Sequence, residues 1–123
     1  ETLDINLQIE ELCNLRDGWL DGYGKAPTLK GAKWLAETFE LNYPDNAQLP
    51  YLYPTEEGGI RAEWTIESQD ISLDINLSSH IGDWHCLNLE TDKEDCMTLN
   101  LENSEDWKKI CPYLSTDGAG VNE

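Results

Sequence analysis

The residues most able to do chemistry are few in type. His80 and His85 are the only imidazoles, and Asp83-Trp84-His85-Cys86 lines up an acid, a base candidate and a thiol along the chain. On a strand, successive side chains leave opposite faces, so His85 diverges from Cys86 and a Cys-His nucleophile built from these neighbours has poor geometry. Carboxylates are plentiful: Asp17, Asp21, Glu56, Glu57, Glu63, Glu67, Asp70, Asp74, Asp83, Glu90 and Asp92 could supply a catalytic pair or metal ligands. In a chain with 25 acidic residues such pairs arise by chance, and neither a DxDxDG calcium loop nor an HExxH zinc helix is present. The GxSxG elbow of a serine nucleophile and the GxxxxGK[ST] phosphate loop are also missing. No catalytic residue, metal or cofactor is expected.

The charge is more informative. Eight basic against 25 acidic side chains give a formal net charge of −17 at pH 7. Such a surface repels nucleic-acid phosphates and anionic lipid, so direct nucleic-acid binding and membrane association are not expected. It attracts basic proteins. At 123 residues with 39% hydrophobic content, 5 Trp and 5 Tyr, the chain can build a core and suits one domain, 1–123, with 1–4 and 115–123 frayed. No apolar run approaches the roughly 18 residues of a membrane span. Residues 1–11 lack the basic region of a secretory leader, so a soluble chain is expected.

The elements that must position these groups follow from periodicity. Leu3, Leu7, Leu12 and Leu15, with Ile5 and Ile9, form a helical stripe from Leu7 onward and predict a helix over 5–16, ended by Asp17-Gly18 and a glycine-rich loop to Pro27. Thr28 caps a second helix carrying Ala32, Leu35, Ala36 and Phe39, which stops before Pro44. Tyr51-Leu52-Tyr53, between two prolines, reads as an edge strand. After the turn Thr55–Gly59, Ile60, Ala62, Trp64 and Ile66 share one face, with Arg61, Glu63, Thr65 and Glu67 on the other. A turn at Ser68-Gln69-Asp70 leads to Ile71, Leu73, Ile75 and Leu77, whose wet partners are Ser72, Asp74 and Asn76. Residues 84–89 and 96–101 form a hairpin around Glu90–Glu94, and Asn103 or Ser104 caps a last helix containing Trp107, Ile110 and Leu114. The expected fold is α+β: two N-terminal helices and a short C-terminal helix packed on an antiparallel meander sheet of about four or five strands.

Three blocks, Gly18 to Pro27 (GWxDGxGxAP), Pro50 to Trp64 (PYLYPTxEGGxxAEW) and Trp84 to Glu90, resemble in order a family of small, mostly uncharacterised bacterial proteins. The resemblance implies a bacterial, cytoplasmic, single-domain protein and carries no activity onto particular residues.

In the loop Gly18–Pro27 and the turn Pro54–Gly59, the glycines can be purely conformational, with Trp19 and Tyr23 pinning the loop. Alternatively the two segments form a rim where Trp19 and Tyr23 are aromatic anchors among Asp21, Glu56 and Glu57. With the wet-face residues Glu63, Glu67 and Asp74 they make the expected partner-binding set. The expected function is a non-enzymatic acidic interaction module: an inhibitor, antitoxin-like protein or regulator of a basic protein partner, by imitation of a nucleic acid's phosphate array. High charge also promotes solubility alone. The alternative is a small enzyme or ligand-binding domain with a pocket near Tyr23, Trp64 and His85.

The spacing of Cys13, Cys86, Cys96 and Cys111 fits neither paired zinc knuckles nor a dense disulfide framework, so free thiols are expected. A Cys86–Cys96 bridge is open to the chain if the two residues face each other on adjacent strands. Thiol titration of the denatured protein without reductant should find four free groups; two or fewer would overturn this expectation.

Overall fold

The computed structural model describes residues 4–45 and 47–114. In chain order the elements are α1 (Ile5–Cys13), α2 (Leu29–Asn42), β1 (Tyr51–Pro54), β2 (Ile60–Ile66), β3 (Gln69–Ile75), β4 (Ile81–Asn88), β5 (Glu94–Asn100) and α3 (Ser104–Leu114). The strands form one antiparallel sheet in the order β1-β2-β3-β4-β5, so the protein is α+β with a five-stranded meander. Of the ends expected to fray, 1–3 and 115–123 lie outside the described residues. Asp4 is ordered into the fold as the cap of α1, its carboxylate accepting from the Leu7 N–H at 3.1 Å.

Helix α1 is shorter than its periodicity suggests. Asn14 ends it, and Leu15 packs against the core from outside the helix. Thr28 caps α2 as expected, its hydroxyl accepting from Gly31 N–H at 3.0 Å. Close packing favours glycine at position 31, where an added Cβ would lie 2.6 Å from the Leu77 Cβ. Helix α3 starts under Asn103, whose side chain accepts from Glu105 N–H at 2.9 Å, with Glu105 and Asp106 in the first turn where the helix dipole favours negative charge.

Two boundaries in the sheet differ from expectation. The β2–β3 turn is the two-residue loop Glu67-Ser68, because Gln69 already pairs with Ile66 and Asp70 with Thr65. Glu67 therefore leaves the wet face of β2 and sits in the turn with φ +56°. Strand β4 begins at Ile81, three residues ahead of Trp84, which adds Asp83 to the sheet.

Alternation then sorts the side chains. Ile60, Ala62, Trp64 and Ile66 of β2, Ile71, Leu73 and Ile75 of β3, Trp84 and Cys86 of β4 and Leu99 of β5 are buried. They form one cluster with Ile9 and Leu12, with Ala32, Leu35 and Phe39, and with Trp107, Ile110 and Leu114. Three tryptophans dominate it: Trp64 and Trp84 lie 5.8 Å apart by ring centroid, Trp84 meets Tyr113 at 5.5 Å, and Trp107 meets Phe39 edge-on at 5.4 Å. Trp64 donates its indole N–H to the Tyr43 hydroxyl at 2.8 Å, and Trp107 donates to the Leu101 carbonyl at 2.8 Å. The Trp84 indole N–H has no partner among the described residues, an orphaned donor that the surrounding packing must offset. Burial of Tyr43 raises its phenol well above the usual range, so it stays a neutral partner.

Leu73→Ala should cost about 2 to 5 kcal/mol, because Leu73 is fully buried and leaves a cavity. Glu67→Gly should instead raise stability by up to about 1 kcal/mol, since a non-glycine residue at positive φ is strained by more than glycine loses in entropy. Denaturant unfolding of both variants checks the two signs.

Candidate functional site

The strand register builds a polar surface on the face opposite the core. One row runs Tyr53, Arg61, Asp74, Asp83, Thr98 across all five strands. The next runs Tyr51, Glu63, Ser72, His85, Cys96, and a third Thr65, Asp70, Leu87, Glu94. Neighbouring strands lie about 4.8 Å apart, so these side chains form a dense two-dimensional array. It holds five carboxylates (Glu63, Asp70, Asp74, Asp83 and Glu94) and one guanidinium, Arg61.

Arg61 is shared. Its Nε donates to Asp74 Oδ1 at 2.7 Å and Nη2 to Oδ2 at 3.1 Å, while Nη1 lies 3.6 Å from Glu63 Oε2. The Asp74 hydrogen bonds raise the Arg61 pKa above its ordinary value and keep the fork charged. Asp83, directly across the strand pair from Asp74, has only the Thr98 hydroxyl within reach, at 3.4 Å, among the described residues. His85 Nε2 lies 3.7 Å from Glu94 Oε2, on the side of the array away from Arg61. Two clefts meet here. One of about 1110 Å³ is lined by Lys25, Tyr53, Glu57, Arg61, Asp74 and Asp83 among others. The second, of about 320 Å³, is lined by Ser72, Asp74, Asp83, His85, Cys96 and Thr98 among others.

The glycine-rich loop and the Thr55–Gly59 turn do meet, forming one rim of the larger cleft. Lys25 N–H donates to the Glu56 carbonyl at 2.8 Å, and Lys25 bridges to Glu57. Trp19 pins the loop internally: its indole N–H donates to the Lys25 carbonyl at 2.9 Å, and its ring covers Gly24, where a Cβ would come within 3.0 Å. Asp17 closes the base by accepting from Ala26 N–H at 3.0 Å. Tyr23 is different, standing 75% exposed at the loop tip. Asp21 is exposed beside it at φ +51°. Glu56 and Glu57 are exposed on the turn, and Glu63 and Asp74 are half-buried in the array. Glu67 is not with them, because its hairpin turn lies at the far end of β2 from Thr55–Gly59.

The structure does not gather Tyr23, Trp64 and His85 into one pocket. Trp64 is 2% exposed in the core cluster, His85 projects from the opposite face, and Tyr23 sits on the loop. Nor do Cys86 and Cys96 face each other. Cys86 pairs with Asp95 and points into the core, whereas Cys96 pairs with His85 on the outer face. Burial pushes the Cys86 and Cys111 thiols up, favouring the protonated form. Among the described residues no three His, Cys, Asp or Glu side chains converge to hold a metal ion.

Asp83, Asp70 and Glu94 were absent from the expected partner-binding set. Asp83 falls outside that set because the expected strand starts at Trp84, whereas Ile81, Asp83, His85 and Leu87 continue the period of two in β4. Comparison of the chain with protein-family models, with curated proteins and with solved structures found no match.

Trp19→Ala should lower stability measurably, since it opens the loop, whereas Tyr23→Ala should change it by no more than about 0.5 kcal/mol. Thermal melts of the two variants make the comparison; equal losses would show that Tyr23 is also a structural pin.

Proposed function

We propose that this protein is a non-enzymatic acidic interaction module that binds a basic protein partner. In this account the three helices pack on the inner face of the sheet, leaving the outer array free for the partner. The partner is a nucleic-acid-binding enzyme, toxin or effector whose cationic surface accepts the carboxylates in place of phosphates, and the module inhibits or regulates it in a bacterial cytoplasm. The observation that carries this is the array itself: five in-register carboxylates offset by one guanidinium, in a chain of net charge −17. Opposed charge speeds encounter, and a cationic side chain arriving at Asp83 meets a carboxylate with no resident cation among the described residues. Tyr23, Tyr51 and Tyr53, all exposed, supply aromatic contacts at the rim and edge of the same surface, where interface hot spots are commonly aromatic.

The test compares two triple variants of equal charge change. Glu63→Lys/Asp74→Lys/Asp83→Lys alters the array; Glu10→Lys/Glu11→Lys/Glu40→Lys alters exposed helix positions. Affinity for a fluorescent Lys-rich peptide is read by anisotropy at low salt and at about 0.15 M, where charges are screened beyond about 8 Å. The array variant should bind at least about tenfold more weakly than the helix variant and lose most of the salt dependence. Equal weakening would mean that binding follows net charge and that the array is only solubilising. Stability should change little, because exposed ion pairs contribute roughly 0 to 1 kcal/mol.

A further inference from the structure

The two edges of the sheet are finished differently. At β1, Pro50 and Pro54 have no N–H to offer, and the remaining outward donor, Leu52 N–H, is taken by the Gln8 side chain at 2.8 Å. Gln8 also donates to the Pro50 carbonyl at 3.0 Å, so α1 closes this edge. At β5 the backbone alternates. Lys93 C=O accepts from Asn88 N–H at 2.9 Å, which turns Asp95, Met97 and Leu99 toward β4 and Glu94, Cys96, Thr98 and Asn100 outward. Asn100 N–H is capped by the Asp106 carboxylate at 2.7 Å. Among the described residues nothing hydrogen-bonds the outward N–H and C=O groups of Glu94, Cys96 and Thr98. No proline and no bulge protects this stretch.

We infer that β5 receives an extended basic segment of the partner as a sixth strand, an inference that rests on the acidic-array reading above. Charge selects the occupant. Glu90, Asp92, Glu94 and Asp95 crowd this hairpin against Lys93 alone, so a cationic segment is attracted. A strand added here extends the rows ending in Thr98, Cys96 and Glu94. Its outer-face side chains then sit beside Thr98, Cys96 and Glu94, one strand further from Asp83 and His85, where the long side chain of Lys or Arg fits because it can reach back over β5 to the Asp83 carboxylate. Its inner-face side chains meet half-buried Met97, where an aliphatic residue fits. The partner segment is thus a period-two alternation of basic and aliphatic residues, recognised through backbone pairing at an edge and alternate side chains on a face.

The probe is a seven-residue alternating Lys-Val peptide, with a second version N-methylated at every internal residue. Methylation keeps the charge and removes the backbone donors. The wild-type protein should bind the unmodified peptide at least about tenfold more tightly. Cys96→Pro, which removes an outward N–H without touching the β4–β5 ladder or the charge, should abolish that difference. Should this variant fail to fold by circular dichroism, the methylated peptide on wild-type protein still decides. If both peptides bind wild type alike and the array triple variant weakens both, the array reading stands and the edge inference falls. If neither peptide binds, or the array variant changes nothing, both fall. If sedimentation shows that wild type self-associates and Cys96→Pro is monomeric, the occupant is a second copy and the inference is wrong.

Discussion

Everything outward in this protein depends on the register of β2, β3 and β4. Side chains in a strand alternate with a period of two, so a slip of one residue would move Trp64, Leu73 and Trp84 to water and drive Arg61, Asp74 and Asp83 into the core. Neither set tolerates the exchange. Burial of the large aromatic and aliphatic side chains stabilises one register, and the cost of desolvating unpaired carboxylates excludes the other. The acidic array is therefore specified indirectly, by the tryptophans behind it.

That arrangement also carries a cost. Asp74 and Asp83 face each other directly across two strands, and like charges in that position repel. Arg61 offsets part of the repulsion by forking onto Asp74 and reaching Glu63, while Asp83 is left to Thr98. The rim is held by a separate device, in which Trp19 and Asp17 lock the loop so that Lys25 can join the Glu56 carbonyl. Rigid backbone under a set of exposed carboxylates is the physical form an electrostatic recognition surface needs, because it spares the partner the entropy of ordering it.

Much of this is legible in the residues. Period-two alternation in Ile60–Ile66 and Ile71–Ile75 assigns the buried face correctly, Thr28 marks a helix start by its capping chemistry, and of the two candidate caps Asn103 and Ser104 it is Asn103 that accepts from the first turn. Boundaries are less legible where a turn lacks its usual residue. Glu67 adopts a left-handed conformation without being Gly or Asn, so the polar run Ser68-Gln69-Asp70 announces the β2–β3 turn but sets it too late and leaves Glu67 on the strand. Gly82 similarly hides the start of β4. A Cβ there would lie 2.9 Å from the Cδ1 methyls of Leu73 and Leu101, which would have to shift, so a residue that resembles a loop signal sits in close packing inside the strand. What no local pattern contains is which carboxylates become neighbours. Asp74 beside Asp83, and His85 beside Cys96, are consequences of pairing between separate strands.

The central claim is that cations meet this molecule at the array and not wherever it is negative. Amide chemical shifts, followed by NMR while the Lys-rich peptide is titrated into the full chain, report the contact residue by residue. The account predicts that the shifts concentrate at Arg61, Ser72, Asp74, Asp83, His85, Cys96 and Thr98 and leave α1 and α2 nearly unmoved. Shifts spread evenly over the exposed acidic residues of the helices, with the array no more affected than Glu10 or Glu40, would contradict it.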